Sequence, residues 1–330
     1  MVSNMLPDAA HPERGRFVRD QLAALRRLAG EPAAHGEELD VELYEFPPGA
    51  RALAGAALEL RRRFAAPRAR RSRPRLDVVH AHFGLTAWPA LAVPARVRAL
   101  TVHGTDVRHP RTRIATAAAL PLMDLVAAVS APLVQELPGA RARRRAQVLP
   151  CGVDLERFRP LPRAQARAQL GLDPQRALLL FPADPARPSK RADRALALAH
   201  ELGVELLTLG GVEPERVPLW VNAANAVLVP SEREGFGLAV LEALACDVPV
   251  LATPVGVHAQ ALHGIGGTLC APFEPSVWRA ALQPHLSGAD ARVQGRASAA
   301  RFSAQAMAEL LLAAWRRALR DRRDARAHSR

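Results

Sequence analysis

Twice along this chain the same pattern plays out: short runs rich in Val, Leu and Ala alternate with longer stretches of helical periodicity. Apolar runs of that length, separated by helix-length segments, predict parallel strands joined by crossover helices, because tight hairpins connect only antiparallel neighbours. In the first half the predicted strands are Val41–Phe46, Leu76–His80, Arg98–Val102, Leu125–Val129 and Gln147–Leu149, with helices predicted over Phe17–Leu28 and Arg51–Phe64. In the second half they are Ala177–Phe181, Glu205–Leu209, Ala226–Val229 and Val248–Ala252. Between the halves, from Pro150-Cys151-Gly152-Val153-Asp154 to Phe158-Arg159-Pro160-Leu161-Pro162, periodicity stops and turn residues dominate, as in an interdomain linker. The 330 residues suit two domains of about 150 each rather than one core. The predicted division is 1–150 and 151–330. Apolar residues at helical spacing (Met307, Leu310, Leu311, Ala314, Trp315, Leu319) predict a last helix over about 302–324, able to return to the first domain.

With 49% hydrophobic residues and a mean hydropathy of −0.03, the chain has ample material for buried cores, which excludes general disorder. No apolar run approaches the ~20 residues of a membrane span, and the start lacks the basic and apolar regions of a signal peptide, so a cytoplasmic location is expected. Cys151, Cys246 and Cys270 have no zinc-like or paired spacing and read as reduced structural thiols. The net charge of +13 raises nucleic acid or an anionic membrane as partners. Against nucleic acid, the arginines lack interleaved aromatic residues, and aromatic content is only 4%. Arginine on solvated faces of an Ala-, Pro- and Gly-rich chain accounts for the charge, and no nucleic-acid partner is expected.

Chemistry concentrates in Ser231-Glu-Arg-Glu234-Gly235-Phe236-Gly237-Leu238-Ala-Val-Leu-Glu242-Ala-Leu-Ala-Cys246. It follows a buried-looking strand, and Gly235-Phe236-Gly237 opens a helix running to about Cys246. Glycines admit a ligand close to the backbone, and the free N–H groups and dipole of a helix amino terminus favour an anion such as a diphosphate. Glu234 precedes the turn and Glu242 lies inside the helix, so the two carboxylates bracket the phosphate position and suit hydroxyl groups on either side of it. Glu242 as a merely solvated residue fits poorly with its apolar neighbours Leu241, Ala243 and Leu244. Lys190 is the single lysine among 45 cationic residues and falls where a strand hands over to a helix. A compact ammonium there acts as a point charge on a phosphate.

The segment resembles the Glu-x7-Glu motif of the retaining family-4 glycosyltransferases, in which Glu-Gly-Phe-Gly-Leu is followed by Leu-Glu-Ala. The resemblance implies the GT-B fold, an α/β architecture of two Rossmann-like domains facing across a cleft, with an acceptor-side amino-terminal domain and a donor-side carboxy-terminal domain. It assigns Glu234 to the transferred sugar and Glu242 to the ribose, with Gly235, Phe236, Gly237 and Leu238 forming the donor turn. It also assigns Lys190 and Arg187, within Pro182-Ala-Asp-Pro-Ala-Arg187-Pro-Ser-Lys190-Arg191, to the diphosphate, with Arg191 or Arg194 as substitutes for Arg187.

Two further segments, Asp77-Val-Val-His80-Ala-His82-Phe83 and Leu100-Thr-Val-His103-Gly-Thr-Asp106, place histidines at the carboxyl ends of strands, where open α/β sheets bind ligands. His80 and His82 read as scaffold. His103 is assigned by resemblance to the donor sugar through the His-Gly-x-Asp turn, with Asp106 on the acceptor side. Ser3-Asn-Met-Leu-Pro7 and Gly15-Arg-Phe-Val-Arg-Asp-Gln21 resemble the family's first strand, acceptor-side loop and first helix, which puts Gly15 beside the acceptor. After Leu207-Thr-Leu-Gly-Gly211 the family's extra strand and helix shrink to a short link, which leaves the identity of the base open.

With no Asp-x-Asp and no metal-ligand spacing, the expected chemistry uses no cofactor or metal: cations and helix dipoles stabilise the departing diphosphate. The expected partners are a nucleotide-sugar donor and a sugar or lipid-linked acceptor. The arginines of 61–75 offer a peripheral contact with an anionic membrane. Three competing readings share part of this evidence. An oxidoreductase lacks its Gly-x-Gly-x-x-Gly. A GT-B phosphorylase or nucleotide-sugar epimerase shares the architecture, and an Arg-driven non-catalytic binder shares the charge.

Overall fold

The computed structural model describes residues 1–9, 11–30, 39–64, 76–286 and 290–328. The chain forms two compact units: Met1–Asp8, Arg14–Cys151 and Gln305–Arg330 in one, Ala9–Glu13 and Gly152–Ala304 in the other. The first unit therefore draws on both ends of the chain. Each unit is an α/β layer structure around a parallel sheet.

In the first unit the strands are β1 (Val2–Ser3), β2 (Tyr44–Glu45), β3 (Leu76–His82), β4 (Ala95–Val102), β5 (Leu125–Ala128) and β6 (Gln147–Val148), in the order β2-β1-β3-β4-β5-β6 with all pairings parallel. The central strands are buried on both faces. The four residues of β5 are all buried, and Ala99, Leu100, Thr101 and Val102 of β4 are at most 3% exposed. That is why they read as continuous apolar runs rather than as alternating ones. The predicted strand at Val41–Phe46 contracts to two residues at the sheet edge, whereas β4 begins three residues earlier than predicted. The helix Arg16–Gly30 buries Val18, Ala24, Leu25 and Leu28 on one stripe. Gly15 ahead of it has φ +69°, and a Cβ there would stand 2.3 Å from the Met5 carbonyl oxygen, so only glycine fits.

In the second unit the strands are β7 (Leu178–Phe181), β8 (Glu205–Thr208), β9 (Ala226–Val229), β10 (Val250–Ala252) and β11 (Leu269–Cys270), in the order β11-β10-β9-β7-β8 and again parallel. Its core joins Leu179, Phe181, Leu198, Leu228, Leu251, Trp278 and Leu282, all at most 2% exposed. The helix Ala192–Leu202 stops at Gly203, whose φ of +64° lets its N–H turn back to the His200 carbonyl. Between β8 and the helix Val217–Ala223 there are only turns, the short link expected there.

The last helix, Ala304–Ala327, buries Met307, Leu311 and Trp315. From Gln305 onward it belongs to the first unit: Gln21 donates to Met307 Sδ at 3.2 Å, and the Trp315 indole donates to His80 Nδ1 at 2.9 Å. Among the described residues no helix is long and apolar enough to cross a membrane. The arginine stretch at 61–75 lies outside the described residues from 65 onward.

Candidate functional site

In an open parallel sheet, loops on either side of the strand where the order reverses diverge and leave room for a ligand. In the second unit that strand is β7: the chain runs from β7 to β8 on one side and returns as β9 on the other. The loops that leave β7 and β9 carry Lys190 and Glu234. They are stitched together by the Glu232 N–H, which donates to the Ser189 carbonyl at 2.9 Å. Lys190 Nζ donates to both oxygens of Glu234, at 2.6 and 2.7 Å, and the Ser231 hydroxyl donates to Glu234 Oε1 at 2.7 Å. The lysine side chain is 17% exposed and the glutamate 9%. Burial is the largest influence on the Glu234 carboxyl and pushes its pKa up. The Lys190 charge and hydrogen bonds, with His258 and Ser231, outweigh burial and hold the pKa below its ordinary value. Glu234 is thus an ionised, largely buried carboxylate held against the Lys190 ammonium.

Beside this pair, Gly237 (φ +109°) caps the helix Leu238–Ala245. Phe236 is buried with its ring 6.2 Å from that of Phe302, and Glu242 sits half-buried a turn into the helix. Arg187 is exposed, and its carbonyl accepts the Lys190 N–H at 3.0 Å. Both substitutes for Arg187 are engaged elsewhere. Arg191 pairs with Asp193 and Glu232, and Arg194 donates to the Pro230 carbonyl and lies over the Phe273 ring.

Sequence reasoning missed the layer beneath this turn. His258 is fully buried, and its Nδ1 lies 2.8 Å from the Thr253 carbonyl, so that nitrogen carries the proton. Its Nε2 has no hydrogen-bond partner and would lie 2.4 Å from a Cβ on Gly237. Gly256, with φ +60°, approaches so closely that a Cβ would meet the Phe236 carbonyl oxygen at 2.2 Å. The Thr253–His258 segment therefore sets the height of the Glu234–Gly237 turn. The only available signal was the glycine before a lone histidine after β10.

In the first unit the strand order reverses at β1, between β2 and β3. His103, just after β4, lies against Phe17 and Phe83 in tilted contacts, at centroid distances of 4.7 and 4.6 Å, and its Nε2 lies 3.2 Å from His82 Nδ1. Asp106 is 3% exposed, and its carboxylate accepts the backbone N–H groups of Gly84, His103 and Gly104. It builds the His103 turn. Phe83 holds φ +75°, a strained value for a bulky residue. It is fixed by its N–H to the Thr101 carbonyl and by the Thr86 hydroxyl, which donates to the His82 and Phe83 carbonyls.

Burial gives this unit a pH dependence. It lowers the pKa of His80 and His103 from 6.5 to about 3, helped at His80 by neighbouring positive charge, and it raises that of Asp106 from 3.8 to about 6 against its backbone hydrogen bonds. Between about 3 and 6.5 the unfolded chain binds more protons at the two histidines than the native one. Their contribution is therefore complete above 6.5 and is lost as pH falls. Asp106 acts oppositely, its ionisation costing native stability as pH rises from about 4 to 6. Two histidines against one aspartate leave a net loss on acidification. Urea unfolding is expected to show a lower midpoint at about pH 4.5 than at about pH 7.5, with the difference reduced in a His80→Gln, His103→Gln double variant. Equal midpoints would contradict the neutral assignment.

Among the described residues no group of three or more His, Cys, Asp or Glu could hold a metal ion. The arginine surplus is not only a surface matter. Arg167 is 2% exposed and donates to Ala223 and Pro174 carbonyls and to Asn225, while Arg296 donates to the Leu155, Phe158 and Ala245 carbonyls. These guanidinium groups fasten loops of the second unit, which corrects the reading of the charge as solvated throughout.

Residues 187–313 match the family model "Glycosyl transferases group 1", and residues 16–157 match the model "Glycosyltransferase Family 4". The chain is 32% identical over 309 residues to a D-inositol 3-phosphate glycosyltransferase of Frankia alni, covering 74% of each chain. It is 36% identical over 216 residues to one of Segniliparus rotundus, covering 54% of this chain and 48% of that protein. The chain thus spans about half the length of several curated relatives it matches. Among solved structures, sucrose-phosphate synthase of Thermosynechococcus elongatus superposes with a TM-score of 0.64 at 20% identity, covering 96% and 98% of the two chains. HepE of Anabaena, in complex with UDP and glucose, superposes at 0.63 and 18%, covering 94% and 97%. At these identities the likeness establishes the fold, which is GT-B.

Proposed function

Because the chain belongs to the family-4 glycosyltransferases, we propose that it moves a sugar from a nucleotide diphosphate sugar to an acceptor hydroxyl with retention of anomeric configuration. The observation that carries this reading is the bidentate Lys190–Glu234 pair at the glycine turn before the helix Leu238–Ala245. An arriving diphosphate competes for the ammonium, and the helix amino terminus adds its own N–H groups and dipole. Glu234, relieved of its bidentate partner, then turns a full carboxylate toward the sugar hydroxyls. Glu242 takes the ribose, Arg187 supplies a second cation, and His103 contributes to sugar recognition.

As the bond from the anomeric carbon to phosphate breaks, positive charge grows on the sugar and negative charge on the diphosphate, which Lys190 and the helix stabilise. The leaving phosphate takes the acceptor's proton as the new glycosidic bond forms on the face it vacates. This scheme needs no resident metal or organic cofactor.

One solved relative of the fold, HepE of Anabaena, has been seen in complex with UDP and with UDP-glucose, so uridine donors come first. A panel of UDP-, GDP- and ADP-sugars scored by thermal shift and donor hydrolysis is expected to give one responding base. The response should disappear in Glu234→Ala. Silence across the panel would overturn the donor assignment. D-inositol 3-phosphate, named for the relatives, is the first acceptor to try, beside lipid-linked and simple sugars. Arg61, Arg62 and Arg63 are exposed at the end of the helix Ala50–Phe64 and would favour anionic lipid. Equal flotation with neutral and anionic vesicles would reject that contact.

A further inference from the structure

Three imidazoles stand in series in the first unit, and their hydrogen bonds constrain where each proton sits. The Trp315 indole can only donate, so its 2.9 Å bond makes His80 Nδ1 an acceptor. His80 is neutral, and its proton is therefore on Nε2, 2.8 Å from the Thr101 hydroxyl oxygen. The ring of His80 lies stacked on that of His82 at 4.9 Å and 9°. His82 is 1% exposed, its Nε2 has no partner, and its Nδ1 lies 3.2 Å from His103 Nε2.

Two proton arrangements satisfy that last contact. In one, His103 donates to His82, which strands the His82 proton on Nε2 as a buried N–H with nothing to accept it. In the other, His82 carries its proton on Nδ1 and donates, and only a lone pair is stranded. Orphaned buried N–H groups are the rarer and costlier of the two.

We propose that His82 is a positioning residue that donates its Nδ1 proton to His103 Nε2, keeping the proton of His103 on Nδ1, so that His103 meets its ligand as an N–H donor to a hydroxyl or ring oxygen. The proton assignment stands on the hydrogen-bond geometry of buried, neutral imidazoles. Its relevance to transfer rests on His103 acting on the sugar. With Phe17 and Phe83 against the ring and Nε2 engaged by His82, Nδ1 is the remaining polar atom of the imidazole. The last helix thereby contributes to the site through Trp315, His80 and His82.

The test is two-bond proton–nitrogen NMR of protein labelled with nitrogen-15 histidine at about pH 7.5, with signals assigned from single-histidine variants. The expected spectrum has His80 protonated on Nε2, and His82 and His103 protonated on Nδ1. His82→Leu is expected to move His103 toward the Nε2-protonated form and to lower kcat about tenfold with little change in KM for the donor. His82→Asn, whose amide N–H stands near the position of Nδ1, is expected to restore the His103 signal and most of the lost turnover. His103 protonated on Nε2 in the unsubstituted protein overturns the proposal, as does an unaltered His103 signal in a folded His82→Leu variant. Expected spectra together with no transfer from any donor would leave the proton assignment standing and remove the sugar-transfer reading instead.

Discussion

Lys190→Ala is expected to lower kcat/KM for the nucleotide-sugar donor by about 10²–10³-fold, the size of effect seen when one preorganised group facing a developing charge is removed. The same change removes the ammonium from Glu234, 9% exposed on its side chain, and keeps the Ser231 hydroxyl bond to Oε1. Burial, no longer outweighed by the ammonium, then raises the pKa of the carboxyl. The fold should lose about 1–3 kcal/mol at neutral pH and less in mild acid, where Glu234 can accept a proton. Adding Glu234→Gln to Lys190→Ala separates the two consequences. Stability should largely return, because a neutral amide costs less to bury than a carboxylate that has lost its ammonium, while transfer stays lost. Steady-state kinetics and urea unfolding on the three variants decide the matter. A Lys190→Ala enzyme with ordinary KM and kcat would show that the ammonium does not meet the diphosphate.

Gly256→Ala is the second substitution with a large expected effect, at a residue that carries no chemistry. A methyl group there would stand 2.2 Å from the Phe236 carbonyl oxygen, 2.9 Å from its carbon and 3.0 Å from Glu234 Cβ, on a backbone held at φ +60°. Main-chain atoms cannot rotate aside as a side chain does, so the Glu234–Gly237 turn has to move. A loss of about 2–4 kcal/mol is expected, together with the loss of donor-induced thermal stabilisation. Gly264→Ala is the control. Its φ of +76° is similar, but nothing stands within 4 Å of the added methyl, so only the conformational cost of about 1 kcal/mol should appear. If the two variants lose the same stability, the close approach of the two loops is not what holds the turn in place.

The parts of the site that could be read from sequence are those whose chemistry is local. Glu234, Gly235, Phe236 and Gly237 lie in one unbroken stretch and open one helix, and Lys190 stood out as the single lysine between a strand and a helix. What escaped was set by contacts distant in sequence. The bond from Trp315 to His80 spans 235 residues, and neither residue's neighbours hint at the other. His258 comes to lie under Gly237 only because β10 runs beside β9. The fold class was legible because buried parallel strands announce themselves as apolar runs. Two-residue strands such as β11 are too short to show any period. The arginines misled for a related reason: composition records how many there are, and only the folded chain distinguishes Arg167, buried against carbonyls, from Arg187 in solvent.

The membership of Gln305–Arg330 in the first unit also fixes an order of events during synthesis. The ribosome completes every residue of the second unit before it reaches Trp315, so that unit can close on itself while the first still lacks the helix whose Trp315 bonds to His80. The half that is begun first is finished last. Until then it lacks the packing that Met307, Leu311 and Trp315 later supply, which makes that interval the period of greatest exposure to aggregation and to chaperones.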